Sequence, residues 1–361
     1  MNTTRTTALI SLAAAGMMLT ACASGATAAT GPADLDAGTP ADVVRVGYFA
    51  NVTHAPALVG VAEGLFADEL GDTELATHIF NAGPAAIEAL SAGAIDATYI
   101  GPNPSINTFI QSGGASAVVV AGATTGGAAL VVRDGIDSAA ELGGTILASP
   151  QLGNTQDVAL RSWLRDQGHE TDVTGGGDVS ITPTENAQTL ALFQRGDLDG
   201  AWLPEPWVSR LIVDAGAHVL VDEAELWPDG AFPTTVLLVR AAFLAEHPET
   251  VEALLRGHLD ALDWLADHPG QAAEAINAKL AADTGKPLSD PVIDRALLNV
   301  SFSPDPHAEA FATLVRNGLD AGTQKRGSID GLFDLRQLNT LLTERGRPAV
   351  SAGGLGLADP S

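Results

Sequence analysis

Short β-like apolar runs alternate along this chain with longer stretches of helical spacing. The pattern predicts a strand over 43–49 and then a helix over 55–70, whose apolar positions include Leu58, Val61, Ala62, Leu65 and Phe66. A strand over 77–81, a helix over 84–91 that opens on Pro84, a strand over 95–100, a helix over 105–111 and a strand over 117–121 complete a first cycle. The second cycle runs strand 145–148, helix 154–167, strand 179–182, helix 185–193, strand 198–203, helix 206–215 and strand 218–221. A strand over 235–240 follows. From Ala241 the text is helical almost to its end, broken at Pro248, Pro269, Pro287, Pro304 and Gly322. Alternation at this spacing predicts βα units around mainly parallel sheets, an α/β fold.

Two segments resemble each other: Ala129-Leu130-Val131-Val132-Arg133 and Leu237-Leu238-Val239-Arg240. Each stands where one βα cycle gives way to another block. They read as two hinge strands joining two α/β lobes, with residues 43–132 as the first part of lobe 1, 133–236 as lobe 2, and 237–350 as the remainder of lobe 1 with C-terminal helices. The same runs also fit two buried strands of one large sheet, since periodicity does not separate hinge from core.

The N-terminal text has a different character. An apolar run from Ala8 to Leu19 follows Arg5 and ends in Leu19-Thr20-Ala21-Cys22, with Cys22 the only cysteine of the 361-residue chain. That reads as a lipoprotein signal peptide over 1–21, with cleavage before a Cys22 that becomes lipidated. The run is too short for a bilayer core of about 30 Å. Residues 22–42 are small, polar and rich in Gly and Pro, a flexible tether; 351–361 reads as a disordered tail. The expected location is the outer face of the bacterial cytoplasmic membrane, anchored at Cys22.

Charge and cysteine content narrow the function classes. Removing 1–21 takes away Arg5 and leaves 17 basic against 44 acidic side chains, a net charge of −27 spread without long acidic runs. Phosphate backbones would be repelled, so no nucleic-acid partner is expected. With one Cys there is no internal disulfide and no Cys-based metal site; no His pair has HExxH spacing, and neither a metal nor a cofactor is expected. There is no GxSxG elbow and no GxxxxGK[ST] loop, and the chain reads as a non-enzyme.

Candidate chemistry sits in the loops after the predicted strands, where open α/β sheets bind ligands. The first-lobe loops hold Asn51, Thr53 and His54, then Gly83 and Pro84, then Gly101 and Asn103, then Gly126 and Gly127. In the second lobe Gly153, Asn154 and Thr155 open a helix, Trp202 and Glu205 end a strand, and Thr234 precedes the last one. Gly permits close backbone approach, and unpaired N–H groups at a helix start favour an oxyanion. Asn, Thr and Ser also belong at ordinary caps and turns.

Taken together, several of these stretches resemble a known family. They are Asn51-Val52-Thr53-His54-Ala55-Pro56, Gly83-Pro84 with Glu88-Ala89-Leu90, Gly93-Ala94-Ile95-Asp96, Gly101-Pro102-Asn103-Pro104, Gly153-Asn154-Thr155 and Glu205-Pro206-Trp207. Between about Val43 and His268 the chain is similar to the solute-binding proteins of ABC importers for aliphatic sulfonates, nitrate and taurine. The resemblance implies a periplasmic-binding-protein type II fold, two α/β lobes closing on one small solute, and a monomeric receptor that hands it to a permease with a cytoplasmic ATPase. Carried over by position, Asn51, His54, Gly83 and Asn103 would face Asn154, Thr155, Trp202 and Glu205.

Single residues keep more than one reading. Glu205 fits an ion pair with Arg210, a cap on the helix from Pro206, or a seat for a ligand amine. Trp202 and Trp207 fit a cleft wall or partial core, and His54 an oxyanion donor or a cap. For the solute, a sulfonate, taurine, nitrate, a phosphonate and a thiamine-pyrimidine precursor all fit such loops, and a ligand sensor could use the same fold. The related thiamine-pyrimidine synthase enzymes use a cysteine-rich iron site, which Cys22 alone does not supply.

Overall fold

Two sheets divide the strands of the computed structural model, which describes residues 38–357. The expected signal segment, Cys22 with its lipidation, the tether up to residue 37 and the last four residues lie outside the described residues. The chain opens with β1 (Val43–Phe49), α1 (Ala55–Ala62), α2 (Leu65–Leu70), β2 (Glu74–Phe80), α3 (Gly83–Ser91), β3 (Ala97–Ile100), α4 (Pro102–Gln111) and β4 (Ala117–Gly126). It continues with β5 (Ala128–Val132), β6 (Ile146–Ser149), α5 (Thr155–Asp166), β7 (Ser180–Pro183), α6 (Asn186–Arg195), β8 (Gly200–Pro204), α7 (Trp207–Ala215) and β9 (His218–Asp222). The last part holds β10 (Pro233–Arg240), α8 (Ala241–Glu246), α9 (Pro248–Asp267), α10 (Pro269–Thr284), α11 (Asp290–Leu298), β11 (Val300–Phe302), α12 (Phe311–Asp320) and α13 (Arg336–Glu344).

The first sheet has the order β11-β4-β10-β3-β1-β2 and the second β7-β6-β8-β5-β9. In the first, β1 lies parallel to β2 and β3, whereas β10 is antiparallel to both β3 and β4. In the second, β6 lies parallel to β7 and β8, whereas β5 is antiparallel to β8 and β9. The reversed strands mark the crossings. A strand that leaves one sheet at the C-terminal end of its neighbours enters the facing sheet from that sheet's C-terminal side, and so runs against its new neighbours. Hence β5 directly follows β4, and β10 follows β9 through residues 223–232.

The change of sheet therefore falls at Gly126-Gly127 and in 223–232, not after Val132 and after Val236 as expected. Apolar periodicity marks a strand but not the sheet it joins. Gly126 and Gly127 have φ of +79° and +75°, a left-handed pair that L side chains rarely adopt, and this pair turns the chain between sheets.

Side-chain alternation assigns the cores. On β5, Ala129 and Val131 face one layer while Leu130 and Val132 face the other. On β8, Ala201 and Leu203 pack with Leu190, Phe193, Val208 and Leu211 of α6 and α7. Trp202 points the opposite way and packs with Leu160 and Leu164 of α5. The first sheet is covered by the remaining helices, with Leu254, Leu255 and Leu259 of α9 in the same core as Leu58 and Val59 of α1.

Other expectations change in detail. The helix expected over 55–70 is two helices separated at Glu63-Gly64, and β11 interrupts a region read as helical throughout. The end of the expected tether is packed: the Ala41 N–H donates to Thr250 Oγ1 at 2.9 Å, and Thr73 Oγ1 donates to the Ala41 carbonyl at 2.7 Å. The tail is ordered as far as Leu357, whose N–H donates to the Phe333 carbonyl at 3.1 Å. Small polar composition signals weak local preference, which these long-range hydrogen bonds override.

Candidate functional site

Six helix or turn starts meet in the gap between the sheets, because each follows the C-terminal end of a parallel strand. From the first sheet come the turn Val52–His54 after β1, α3 after β2 and α4 after β3; from the second come α5 after β6, α6 after β7 and α7 after β8. Their opening N–H groups have no partners inside their own helices.

Polar side chains of the opposite wall meet several of these groups. The Gly83 N–H donates to Asn154 Oδ1 at 3.4 Å, and the Asn103 N–H to Thr155 Oγ1 at 3.5 Å. Trp207 Nε1 donates to Asn51 Oδ1 at 2.8 Å, and Asn81 Nδ2 to Glu185 Oε1 at 3.2 Å. The approach at Gly101 is close enough that a Cβ there would stand 2.4 Å from Thr155 Oγ1.

The gap has two compartments. An inner pocket of about 20 Å³ is lined by Phe49, Asn51, Thr53, His54, Asn81, Gly101, Asn154, Gln156, Asn186, Pro204 and Thr234. Among the described residues it carries neutral donors and acceptors and no charged side chain. His54 is neutral too: burial depresses its pKa to about 3. Its Nδ1 accepts the Phe49 N–H at 3.3 Å, which leaves the ring proton on Nε2 as a donor. Asn51 is oriented in the same manner, since its oxygen is taken by Trp207 and its NH2 stays free to donate.

An outer chamber of about 410 Å³ adjoins this pocket and shares Asn51, Asn81 and Asn186 with it. Phe80, Pro206, Trp207, Leu280, Leu288 and Val292 supply apolar walls; Glu185, Arg210, Asp214 and Lys286 supply charge. Arg210 is committed locally, with its guanidinium 4.8 Å above the Trp207 ring and Nε 3.4 Å from Asp214 Oδ2.

Of the residues expected at the site, Asn51, Thr53, His54, Gly101, Asn154 and Thr234 line the inner pocket. Gly83, Asn103 and Thr155 join the same contact zone, Asn103 only through its main chain, because its Nδ2 donates to the Leu314 carbonyl at 3.3 Å. Pro84 occupies the first turn of α3 without lining either compartment. The others lie elsewhere. Trp202 is fully buried, and its Nε1 donates to Glu223 Oε2 at 2.7 Å, so it belongs to the core. The Glu205 carboxylate caps α7 instead of facing the pocket: Oε2 accepts the Ser209 N–H at 3.0 Å, and Oε1 accepts Ser209 Oγ and Asn299 Nδ2 at 2.9 Å each. Burial raises its pKa against the lowering effect of those donors. Gly126 and Gly127 serve the crossing, and Gly153 lies at the other side of its loop, where its N–H donates to Asp157 Oδ2 at 2.9 Å.

Residues not expected from the sequence also line the gap. Asn81, Gln156 and Asn186 stand at a strand end or in a first helical turn, so the rule that found Asn154 applies to them equally. Lys286, Leu288 and Val292 come from the link between α10 and α11 and from α11, far along the chain, and carry no local signal.

The chain is 29% identical over 253 residues to the taurine-binding periplasmic protein of Escherichia coli (strain K12), covering 69% of this chain and 76% of that one. Among solved structures it is similar to the alkanesulfonate-binding protein of Xanthomonas axonopodis pv. citri bound to MOPS, with a TM-score of 0.66 and 20% identity over 80% of this chain and 96% of the other. The periplasmic nitrate-binding protein of Synechocystis gives a TM-score of 0.65 and 16% identity, covering 77% of this chain and 81% of that one. The fold is thus that of the periplasmic binding proteins, two α/β lobes around a cleft. The family model described as the NMT1-like family matches residues 37–281, and on that match the chain belongs to the NMT1-like family.

Proposed function

We propose that this protein is the extracytoplasmic solute-binding component of an ABC importer and captures a small organosulfonate or related oxyanion between its lobes. The observation that carries this reading is the inner pocket, where uncharged donors and helix starts converge and no carboxylate intrudes. Each helix N-terminus presents roughly half a positive charge, which suits an anion without a formal counter-ion. A space of about 20 Å³ takes one water-sized group, such as a single oxygen of an oxyanion, while the rest of the solute lies at the neck and in the outer chamber.

The lobes in this reading are 43–126 with 233–350, and 127–232. They move about the two crossings, and the solute favours closure because it touches both walls only when they are together. The closed shape is what a permease would recognise, with Cys22 holding the receptor at the outer membrane face. The named relatives are binding proteins, which supports a receptor rather than an enzyme.

Thermal unfolding of the purified protein, with and without solutes, tests the proposal. A ligand that binds only the folded state raises the midpoint by linkage. A rise with a sulfonate, taurine or nitrate is expected. A rise with aminopyrimidines alone would replace the oxyanion with a thiamine-pyrimidine precursor, and no rise with any of them would remove the receptor reading.

A further inference from the structure

Asp157 stands at an awkward place for a receptor of anions. It lies in the first turn of α5, whose start carries Asn154 and Gln156 of the inner pocket, and it is fully buried. Its carboxylate folds back on the loop before the helix: Oδ2 accepts the Gly153 N–H at 2.9 Å, and Oδ1 accepts the Ser149 hydroxyl at 2.7 Å. A carboxylate there answers the partial positive charge of the helix start from behind. By itself it would cancel the attraction that this helix offers to a solute anion, and burial leaves it little screened by water or salt.

Arg161 removes that charge. One helical turn further along α5, its Nε donates to Oδ1 of Asp157 at 3.0 Å and to Oδ2 at 3.1 Å, and its Nη1 donates to the Asp172 carbonyl at 2.9 Å. The side chain is 1% exposed, and among the described residues its Nη2 is buried without a hydrogen-bond partner. Stability alone does not account for such a residue. A buried ion pair is often worth no more than apolar side chains of the same volume, and an unpartnered guanidinium nitrogen adds a further cost.

We propose that Arg161 is a positioning residue of the solute site that acts through Asp157: it steadies the carboxylate against Gly153 and Ser149 and cancels its charge, so that the start of α5 keeps its attraction for an anion. This rests on the oxyanion reading and adds to it the residue that sets the charge behind the pocket. Asp157 fixes the loop that carries Asn154, and Arg161 makes that fixation electrically neutral. Affinity for an anion then follows the net charge of the pair, although neither side chain lines the pocket.

Calorimetric titration of the full chain with ethanesulfonate, taurine and nitrate reads this charge, with circular dichroism to establish that each variant folds. Arg161→Met leaves the carboxylate uncompensated and should weaken binding at least about tenfold. Arg161→Lys keeps the positive charge but loses the fork that reaches Asp172, and should recover binding to within about threefold of the unaltered protein. Asp157→Asn combined with Arg161→Met gives a neutral pair that retains an acceptor for Gly153, and should recover most of the loss. Asp157→Asn alone leaves the guanidinium unopposed and should tighten binding. Equal weakening in all four variants would give Arg161 a structural role only and overturn the inference, as would undiminished affinity in Arg161→Met. Should Arg161→Met not fold, Asp157→Asn decides: tighter binding upholds the inference, and unchanged or weaker binding overturns it. These outcomes leave the oxyanion reading standing, whereas an unaltered protein that binds none of the three solutes removes that reading and this inference with it.

Discussion

Glu223 shows how burial sets the chemistry of one residue. It opens the return crossing, is 1% exposed, and accepts the Trp202 indole N–H at 2.7 Å. Burial pushes its pKa from 4.5 up to about 7, against the lowering effect of hydrogen bonds from Trp202 and Trp227. The folded state therefore binds a proton that the unfolded state has released between those values. Stability from this group is present below about pH 4.5 and is lost as pH rises through about 7, by an amount on the order of 3 kcal/mol. His54 and His258 work in the other direction. Burial lowers them to about 3 and about 4, so their stability is present above pH 6.5 and lost as pH falls. Glu223→Gln should accordingly leave the acid limb alone and raise stability above pH 7. Denaturant melts of both proteins from pH 4 to 9 measure this; a difference that does not change with pH would refute the assignment. None of this was legible in the sequence, because Glu223 lies in a polar stretch whose burial depends on Trp202 arriving from β8.

Among the elements, strand parity and helix capping decided what residue type left open. Trp202 lies one position from Leu203 on β8, and that single step sends it into the core against α5 rather than toward α6 and α7. Glu205 had three readings in the sequence, and the first turn of α7 selected the cap, since Ser209 presents both its N–H and its hydroxyl to the carboxylate. Glu205→Ala is expected to lower stability by about 1–3 kcal/mol, from the lost cap and buried hydrogen bonds. The relative affinities for different solutes should not change. A chemical denaturation curve checks the first part and titration the second; a changed solute preference would return Glu205 to the binding site. Most βα units were legible from apolar spacing, with ends displaced by a few residues. β11 was not, since three residues at a sheet edge leave too short a pattern.

The whole molecule turns on how closely its two walls approach. Gly101 has an ordinary φ of −69°, so alanine fits its backbone, yet its Cβ would stand 2.4 Å from Thr155 Oγ1 on the other wall. The β-branched Thr155 has little rotameric freedom with which to yield. Gly101→Ala should therefore weaken solute binding about tenfold by opposing closure, a loss of about 1.4 kcal/mol. Each lobe's own packing should be retained, as circular dichroism and isothermal titration can establish together; undiminished affinity would mean that binding does not require this approach. The sequence by itself determined the alternation of strands and helices, the placing of Asn, Thr and Gly at helix starts, and the absence of cysteine chemistry in the folded body, because these depend on local preference and composition. Tertiary structure alone decided where the chain changes sheets, which helix starts face one another, that Trp202 and Glu205 turn away from the pocket, and that Asn186 Oδ1 is buried with no partner among the described residues. Those outcomes depend on contacts between residues far apart in the chain, which no local pattern encodes.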